Sequence, residues 1–161
     1  MKNLLRILSK RYSDPYPPAW ILAELIPLGV MVNIFNNLKN AQVKKRIALR
    51  FGLQLKVFNS WMTIITLTRN SCCHHARVWN KQNTMLPMVP RRTTHAWITL
   101  PSNPLRVYYD LCIIKYFLDT ISPNNDMGKK LRDLLSAFPL VDPAPMGFPE
   151  GWENEELWKI G

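Results

Sequence analysis

A helical pattern of apolar residues begins at residue 55 and ends in a polar, charged segment. Four apolar residues recur at steps of three and four, the spacing of one buried helix face: Leu55, Phe58, Met62 and Ile65. The next positions on that face are Arg69 and Cys72, so a guanidinium stands where the pattern requires a core side chain. Because a buried, unpaired Arg is very costly, we expect Arg69 to meet a carboxylate, a partner surface or an anionic ligand.

The segment that follows, residues 69–80, reads RNSCCHHARVWN and concentrates groups that bind metals or act in catalysis. A zinc site is one interpretation, with four candidate ligands: Cys72, Cys73, His74 and His75. Consecutive helical residues point about 100° apart, however, so these side chains do not converge on one tetrahedral metal. The same divergence argues against a Cys–His nucleophilic pair. We therefore expect neither a metal nor a cofactor here.

RNA cleavage is the third interpretation of the segment 69–80, and this chemistry needs no metal. A base removes the proton of a ribose 2′-hydroxyl while a cation stabilises the charge that develops on phosphorus. Histidine has a pKa suited to the proton transfer, and arginine suits the electrostatic role. Arg69, Asn70 and His74 supply these residue types within about one and a half helical turns.

The charge balance of the chain favours a polyanionic partner. Its 161 residues include 21 Lys and Arg against 11 acidic residues, a formal net charge of +10. RNA, DNA and an anionic membrane surface fit this excess, and a merely soluble basic surface is the simpler alternative. Our candidates for RNA binding are Lys44, Lys45, Arg46, Arg50, Arg91 and Arg92. Arg77 is a further candidate, for which a structural ion pair is an equal alternative.

Cysteine content and hydropathy indicate a cytoplasmic protein. Three cysteines, two of them adjacent, do not form the disulfide framework of a secreted domain. Arg6 and Lys10 interrupt the apolar start, so no signal peptide is evident. The longest apolar run, residues 19–32, contains Glu24 and Pro27 and is too short to span a bilayer. We expect no membrane partner.

Periodicity and capping residues predict an all-α fold in a single domain, residues 1–161. Residues 1–14 are basic with a short apolar cluster, and Pro18 suits the first position of a helix that begins at residue 19. Pro27 and Gly29 end that helix before a second one, which runs to residue 38. Asn40 is a suitable N-cap for a helix over 41–51 that Gly52 terminates. The next helix runs from residue 54 into the low seventies.

The second half of the chain contains many prolines. Residues 81–103 are expected to form a long loop, an uncommon feature that tends to be functional, and His95 is taken as a loop residue. Asn103 and Pro104 open a further helix whose predicted buried face is Val107, Leu111, Ile114, Leu118 and Ile121. A shorter helix over 127–138 precedes an irregular tail, residues 139–161. Trp61 and Trp79 are expected in the core.

The motif in this chain resembles those of a known family. Arg69-Asn70 followed by His74 matches the Arg-x(4–6)-His signature of HEPN ribonucleases, and the segment 69–80 resembles the RNxxAHHxRLWN region of bacterial Abi-like (abortive phage infection) proteins. Other similar stretches are Pro17-Pro18-Ala19-Trp20 with Glu24 and Gly29, Ile47-Ala48 with Phe51-Gly52, and Met146-Gly147-Phe148-Pro149. Position 73 is Cys where Ala is usual. Family members generally carry a further N-terminal helical region, which we expect this chain to lack.

The resemblance implies a HEPN-like helical bundle that dimerises and cleaves RNA without a metal, in an abortive-infection or toxin system. Some members associate with a structured non-coding RNA. The implied catalytic residues are Arg69, Asn70, His74 and His75. Both histidines satisfy the spacing, and we favour His74 because it lies one turn from Asn70, whereas His75 is expected to cap or pack. A non-catalytic RNA-binding or regulatory helical protein is the alternative.

Helix geometry favours a composite site in a homodimer. Arg69 and His74 are five residues apart, about 140° around a continuous helix, so their side chains do not share one phosphate. Either the helix bends or ends near Asn70, or Arg of one protomer meets His of another. We expect a two-fold interface that includes the C-terminal half of the 54–76 helix and brings two copies of Arg69 together.

Overall fold

The computed structural model describes residues 18–159, and every regular element in that range is helical. This result confirms the all-α prediction. The predicted basic cluster at residues 1–14 lies outside the described range. Residues 18–159 divide into two compact units, with the division between residues 37 and 38. Between residues 18 and 159, no helix combines the length and the hydropathy needed to cross a bilayer.

Residues 18–37 form two short helices, α1 (Ala19–Leu25) and α2 (Leu28–Asn37). Pro18 is the N-cap of α1 and not its first helical residue. The helices are separated because Ile26 is extended, with φ −92° and ψ 141°. Pro27 imposes this conformation, since the ring of a proline excludes the helical region for the residue before it. The predicted break at Pro27 is therefore confirmed.

Helix α3 (Ala41–Arg50) opens the second unit and has the predicted cap at each end. The Asn40 side chain accepts hydrogen bonds from the backbone N–H of Gln42 and Val43, at 2.9 and 3.2 Å. Gly52 ends the helix with a positive φ of 63°. A Cβ at this position would collide with the side chain of Thr94, so only glycine allows the later loop to approach so closely.

Helix α4 (Leu55–Cys73) extends into the segment of interest, but its buried face differs from the predicted one. The buried apolar side chains of its first three turns are Val57, Phe58, Trp61 and Ile64. Leu55, Met62 and Ile65 are half-buried, and Arg69 is exposed. Arg69 therefore does not occupy a core position, because α4 is apolar on more than one side in this region and periodicity alone does not tell which side contacts the core.

Helix α5 (Val107–Ile121) is the central element of the second unit and is followed by α6 (Met127–Ala137). Tyr108, Cys112, Ile113 and Tyr116 are fully enclosed, whereas Ile121 is 65% exposed. The predicted buried face of α5 was therefore rotated, with only Val107 of its five residues fully buried. The predicted start at Asn103-Pro104 also moves to Val107, because the Asn103 side chain instead accepts from the N–H of Leu105 in a local turn.

The loop that connects α4 to α5 has no helix or strand between residues 81 and 103, as predicted. It is nevertheless tied to the core. The Ser60 hydroxyl accepts from the Met88 N–H at 2.9 Å, and the Trp61 indole donates to the Met88 carbonyl at 2.9 Å. Trp97 packs on Trp61 with ring centroids 4.5 Å apart. The predicted core position of Trp61 is thus confirmed, and its contacts with Met88 and Trp97 hold the loop against α4.

The tail after α6 is irregular, with two 3-10 turns and the one-turn helix α7 (Glu156–Lys159). Its aromatic residues belong to the core. Phe148 and Trp158 surround Tyr108, and the Trp158 indole donates to the Tyr108 hydroxyl at 3.3 Å. Buried Glu155 accepts from the backbone N–H of Thr99 and Leu100, which ties the tail to the long loop.

Candidate functional site

The predicted catalytic segment lies across the C-terminal end of α4. Arg69 and Asn70 belong to the last turns of the helix, and His74 is its C-cap, with its N–H donating to the Asn70 carbonyl at 3.0 Å. His75 then takes a left-handed conformation with φ 52°. The N–H of Ala76 turns back to the Ser71 carbonyl at 2.9 Å. The helix continues past Asn70 and ends at Cys73, so both histidines lie at its terminus.

Arg69 is exposed to solvent and not enclosed by a counter-charge. Its Nη1 donates to the Asn70 side-chain oxygen at 3.3 Å. None of the ion pairs within residues 18–159 involves Arg69. Of the three partners that the sequence predicts for this guanidinium, a carboxylate of the same unit is therefore excluded across that range. A partner surface or an anionic ligand stays a prediction.

Asn70 contacts both Arg69 and His74, the two residues that diverge on an ideal helix. Its side chain contacts the Arg69 guanidinium, and its carbonyl accepts from His74. By ideal helix geometry Arg69 and the C-cap His74 are about 140° apart, whereas Asn70 and His74, one turn apart, share a face. His74 and His75 are both exposed. One chain therefore presents an arginine and two histidines at one helix end, on different sides.

The turn after the helix positions the last residues of the segment. Asn80 has a positive φ of 51°, and its side-chain oxygen accepts from the Arg106 guanidinium at 3.1 Å. Arg77 is exposed, and no ion pair of the described residues includes it. Trp79 is 44% exposed, so its predicted core position was wrong. Its ring lies beside the motif and is open to solvent.

A cavity of about 130 Å³ lies beside the motif, between α4, the segment after it and the first turn of α5. Its apolar walls come from Ile64, Leu67, Val78 and Met85. Its polar lining is Thr68, Ser71, Lys81, Asn83, Thr84 and Asp110. Thr68 directly precedes Arg69, and Ser71 directly follows Asn70. The cavity thus adjoins the catalytic candidates on the neighbouring face of α4.

Asp110 is the buried charge of this cavity, with 2% of its surface exposed. Its Oδ2 accepts from the Thr68 hydroxyl at 3.0 Å and from the Asn83 amide at 2.7 Å. Its Oδ1 is buried without a hydrogen-bond partner among the described residues. Burial raises the pKa of Asp110, and the hydrogen bonds from Asn83 and Thr68 and the charge of Lys81 oppose that rise.

A family model described as Abi-like protein matches residues 2–80. This half of the chain belongs to the Abi-like family. Membership indicates a part in abortive infection, a form of phage defence. The Abi-like segment contains all four predicted catalytic residues, whereas Asn83 and Asp110 lie beyond it. Neither a curated protein nor a solved structure matches the chain.

The basic residues of the Abi-like segment do not form one face. Lys45, Arg46 and Arg50 are exposed and Lys44 is half-buried. Arg46 and Arg50 are one turn apart on α3 and border the same apolar groove, whereas Lys45 points away from both. Arg91 and Arg92 are exposed in the long loop. No hydrogen bond or ion pair that the structure shows joins these residues to Arg69 or His74.

Metal ligands are not grouped in the part of the chain that the structure describes. Cys72 and Cys73 are exposed free thiols, and no cluster of three or more His, Cys, Asp or Glu occurs within residues 18–159.

The sequence did not predict the polar residues around Asp110. One signal was available, since Asp110 interrupts the apolar run VYYDLCII of α5.

Proposed function

We propose that this protein is a HEPN-type, metal-independent endoribonuclease that acts in abortive infection or as a toxin. The observation that carries the proposal is the end of α4, where exposed Arg69 and His74 and half-buried Asn70 lie within six residues. Membership of the Abi-like family supports the phage-defence role. The net charge of +10 suits an RNA substrate.

In the proposed reaction His74 acts as the base on a ribose 2′-hydroxyl. Its imidazole takes the proton while the 2′-oxygen attacks phosphorus, and the bond from phosphorus to the 5′-oxygen breaks. Arg69 stabilises the charge of the phosphorane through its planar guanidinium. Asn70 holds that guanidinium, as its contact at 3.3 Å suggests. The products are a 2′,3′-cyclic phosphate and a 5′-hydroxyl.

A homodimer completes this site in our proposal. Arg69 and His74 point to different sides of one helix, so a two-fold partner brings the arginine of one protomer to the histidine of the other. Water protonates the departing 5′-oxygen, so a dimer contains two such sites, each with one Arg69 and one His74. The half-buried stripe of Leu55, Met62 and Ile65, which leads to Arg69, is a suitable surface for this contact.

Candidate RNA-binding residues lie at several positions along the chain. Arg77 lies in the turn after the motif, and Arg46 and Arg50 share a face of α3. Lys44, Lys45, Arg91 and Arg92 complete the predicted set. The alternative function is a non-catalytic RNA-binding or regulatory protein, which would use the same basic residues but leave RNA intact. Cleavage of RNA separates the two candidates.

The test is cleavage of labelled single-stranded RNA by purified protein in excess EDTA. We expect Arg69→Ala and His74→Ala each to lower the rate by about 10²–10⁴-fold, the usual contribution of such groups. His75→Gly should retain most of the activity, because glycine suits the positive φ at this position. Lys129→Ala removes an exposed charge elsewhere and serves as the control.

Two outcomes would contradict the proposal. A strict requirement for Mg²⁺ or Zn²⁺ would exclude 2′-hydroxyl attack by side chains alone. Undiminished cleavage by both Arg69→Ala and His74→Ala would exclude the motif as the active centre. RNA binding without cleavage by the wild type would instead identify the non-catalytic alternative.

A further inference from the structure

The segment after α4 forms a small loop, residues 76–81, that closes on Ser71. The Ala76 N–H donates to the Ser71 carbonyl at 2.9 Å, and the Lys81 ammonium donates to the Ser71 hydroxyl at 3.3 Å. Within the loop the Lys81 N–H donates to the Val78 carbonyl at 3.2 Å. Because Ser71 directly follows Asn70, both ends of the 76–81 loop lie beside the candidate catalytic residues.

A contact with the second half of the chain holds the 76–81 loop in place. The Arg106 guanidinium donates to the Asn80 side-chain oxygen at 3.1 Å and to the Asn80 carbonyl at 3.4 Å. Asn80 has a positive φ of 51°, a conformation that asparagine adopts more readily than most residues. Arg106 is itself packed on Gly147, where an added Cβ would lie 2.5 Å from the Arg106 Cβ. Contacts of the protein itself therefore fix the loop.

Trp79 is the large apolar side chain that this loop presents to solvent, with 44% of its surface exposed. The structure describes four other tryptophans after residue 37, and each is in contact with an aromatic ring: Trp61, Trp97, Trp152 and Trp158. Among the described residues, Trp79 has no such ring contact. A tryptophan that is exposed on a fixed loop offers an aromatic face to a ligand at little cost in conformational entropy.

The charges beside Trp79 favour a polyanionic ligand. Exposed Arg77 lies two residues before it, and the Arg106 guanidinium bonds to the residue that follows it. No ion pair within residues 18–159 includes either arginine. Proteins bind single-stranded nucleic acid with this combination, in which aromatic rings stack on unpaired bases and cations contact the phosphates. Bases inside a duplex are already stacked on each other, so only an unpaired base has a free face for Trp79.

We propose that Trp79 stacks on an unpaired base of the RNA next to the bond that is cut, and that Arg106 is the positioning residue that holds Trp79 there through Asn80. The location follows from the loop, whose two ends both bond to Ser71. Every base has a π-face, so the stack selects single strands and not a base sequence. Its role beside the cleaved bond rests on the proposed ribonuclease function, but base stacking itself is independent of cleavage.

The first measurement is binding of a fluorescent 2′-O-methyl RNA to the full chain, followed by anisotropy. This oligonucleotide lacks the free 2′-hydroxyl that cleavage requires, so it reports binding alone. Trp79→Leu keeps an apolar side chain but removes the ring, and the affinity should fall by about 5- to 100-fold, the loss of one base stack. Trp79→Tyr should retain most of the affinity. Phe138→Leu, which removes an exposed ring at the end of α6, should leave the affinity unchanged.

An oligomer of the same length whose nucleotides all lack bases separates stacking from other effects. The wild type should bind it more weakly than the RNA by the same factor, and Trp79→Leu should lose most of this discrimination, because ring and base act as a pair. Arg106→Ala should also lose the discrimination while its affinity for the abasic oligomer stays nearly unchanged. A fall in affinity for both oligomers in Arg106→Ala would identify a phosphate contact and overturn the positioning role.

The alternative use of the Trp79 ring is contact with a second protein chain. Analytical ultracentrifugation of each variant tests this, since a ring in a protein interface would stabilise the dimer and not the base. A Trp79→Leu protein that becomes monomeric, and that still discriminates between the two oligomers, would overturn the inference. A variant that keeps the oligomeric state of the wild type and loses the discrimination is the result we expect.

Cleavage kinetics separate this inference from the proposed function. We expect Trp79→Leu to raise KM for single-stranded RNA, with a smaller change in kcat. A wild-type protein that discriminates against the abasic oligomer but cuts no RNA would retain the stack and refute the ribonuclease. A wild-type protein that cuts RNA, with KM unchanged in Trp79→Leu, would retain the ribonuclease and refute the stack.

Discussion

At the residue scale, Asp110 is a buried carboxyl whose ionisation opposes folding. Its carboxyl is enclosed by Thr68 and Asn83, and Lys81 is the charged group that faces it across the cavity. Burial of a carboxylate disfavours its charged form, which is why the pKa of Asp110 is raised. The charged form of this carboxyl therefore carries an energetic cost in the folded chain.

This cost predicts a pH dependence of unfolding. Because the pKa of Asp110 is higher in the folded than in the unfolded chain, its contribution is full below the unfolded value of about 3.9 and is lost as the pH rises through the folded value. Each pKa unit corresponds to about 1.4 kcal/mol of unfolding free energy. Asp110→Asn removes this loss, so the wild type should become less stable relative to the variant as the pH rises.

Urea denaturation of the two proteins across a series of pH values measures this difference. Asp119→Asn is the control that removes a paired carboxylate from the same helix. Asp119 forms an ion pair with buried Lys115, so its loss leaves that lysine unpaired. A wild type that gains stability over Asp110→Asn with rising pH would show that the folded chain favours the charged carboxylate. That result would contradict the raised pKa of Asp110.

At the scale of single elements, helix α3 offers two arginines on one face. Arg46 and Arg50 are separated by one turn, and Lys45 points elsewhere. A single RNA backbone that follows this face meets the two arginines together. The predicted set of four basic residues on α3 is thus reduced to a pair that we expect to dominate.

The prediction concerns the salt dependence of RNA binding by this pair. Removal of two phosphate contacts should flatten the slope of log K against log salt by about 1.4 for single-stranded RNA. We expect this from Arg46→Ala/Arg50→Ala in a filter-binding titration. Lys129→Ala/Lys159→Ala removes the same charge from exposed positions and should leave the slope unchanged. Equal slopes for both double variants would exclude RNA binding by the Arg46 and Arg50 face of α3.

Local signals predicted the elements of this fold well. Asn40 and Gly52 mark the ends of α3, and Pro27 separates α1 from α2, because caps and proline act through their own backbone neighbours. The buried faces of α4 and α5 were not predictable in the same way. Both helices are apolar on more than one side, so packing with distant segments decides which side is enclosed.

Contacts across long stretches of chain were the least predictable feature. Glu155 ties the tail to Thr99, and Tyr108 is enclosed by Trp158. These pairs are 56 and 50 residues apart in the sequence, and no local pattern predicts them. The polar lining of the cavity at Asp110 was missed for the same reason, whereas the motif was found because its residues are consecutive.

At the scale of the whole molecule, our central claim is that Arg69 and His74 of two protomers form one cleavage site. The two side chains diverge on α4, and Arg69 has no ion pair within residues 18–159. A composite site would satisfy the guanidinium with the RNA phosphate and would join it to the histidine of the other chain. Neither group would then act without dimerisation.

The most direct measurement mixes Arg69→Ala with His74→Ala protein and follows RNA cleavage in EDTA. Each variant alone lacks one half of every site and should be inactive. Random exchange makes half of the dimers mixed, and each mixed dimer retains one of its two sites, so the mixture should recover about a quarter of wild-type activity. No recovery in a mixture whose mixed dimers are verified by mass spectrometry, or full activity of either variant alone, would contradict the claim.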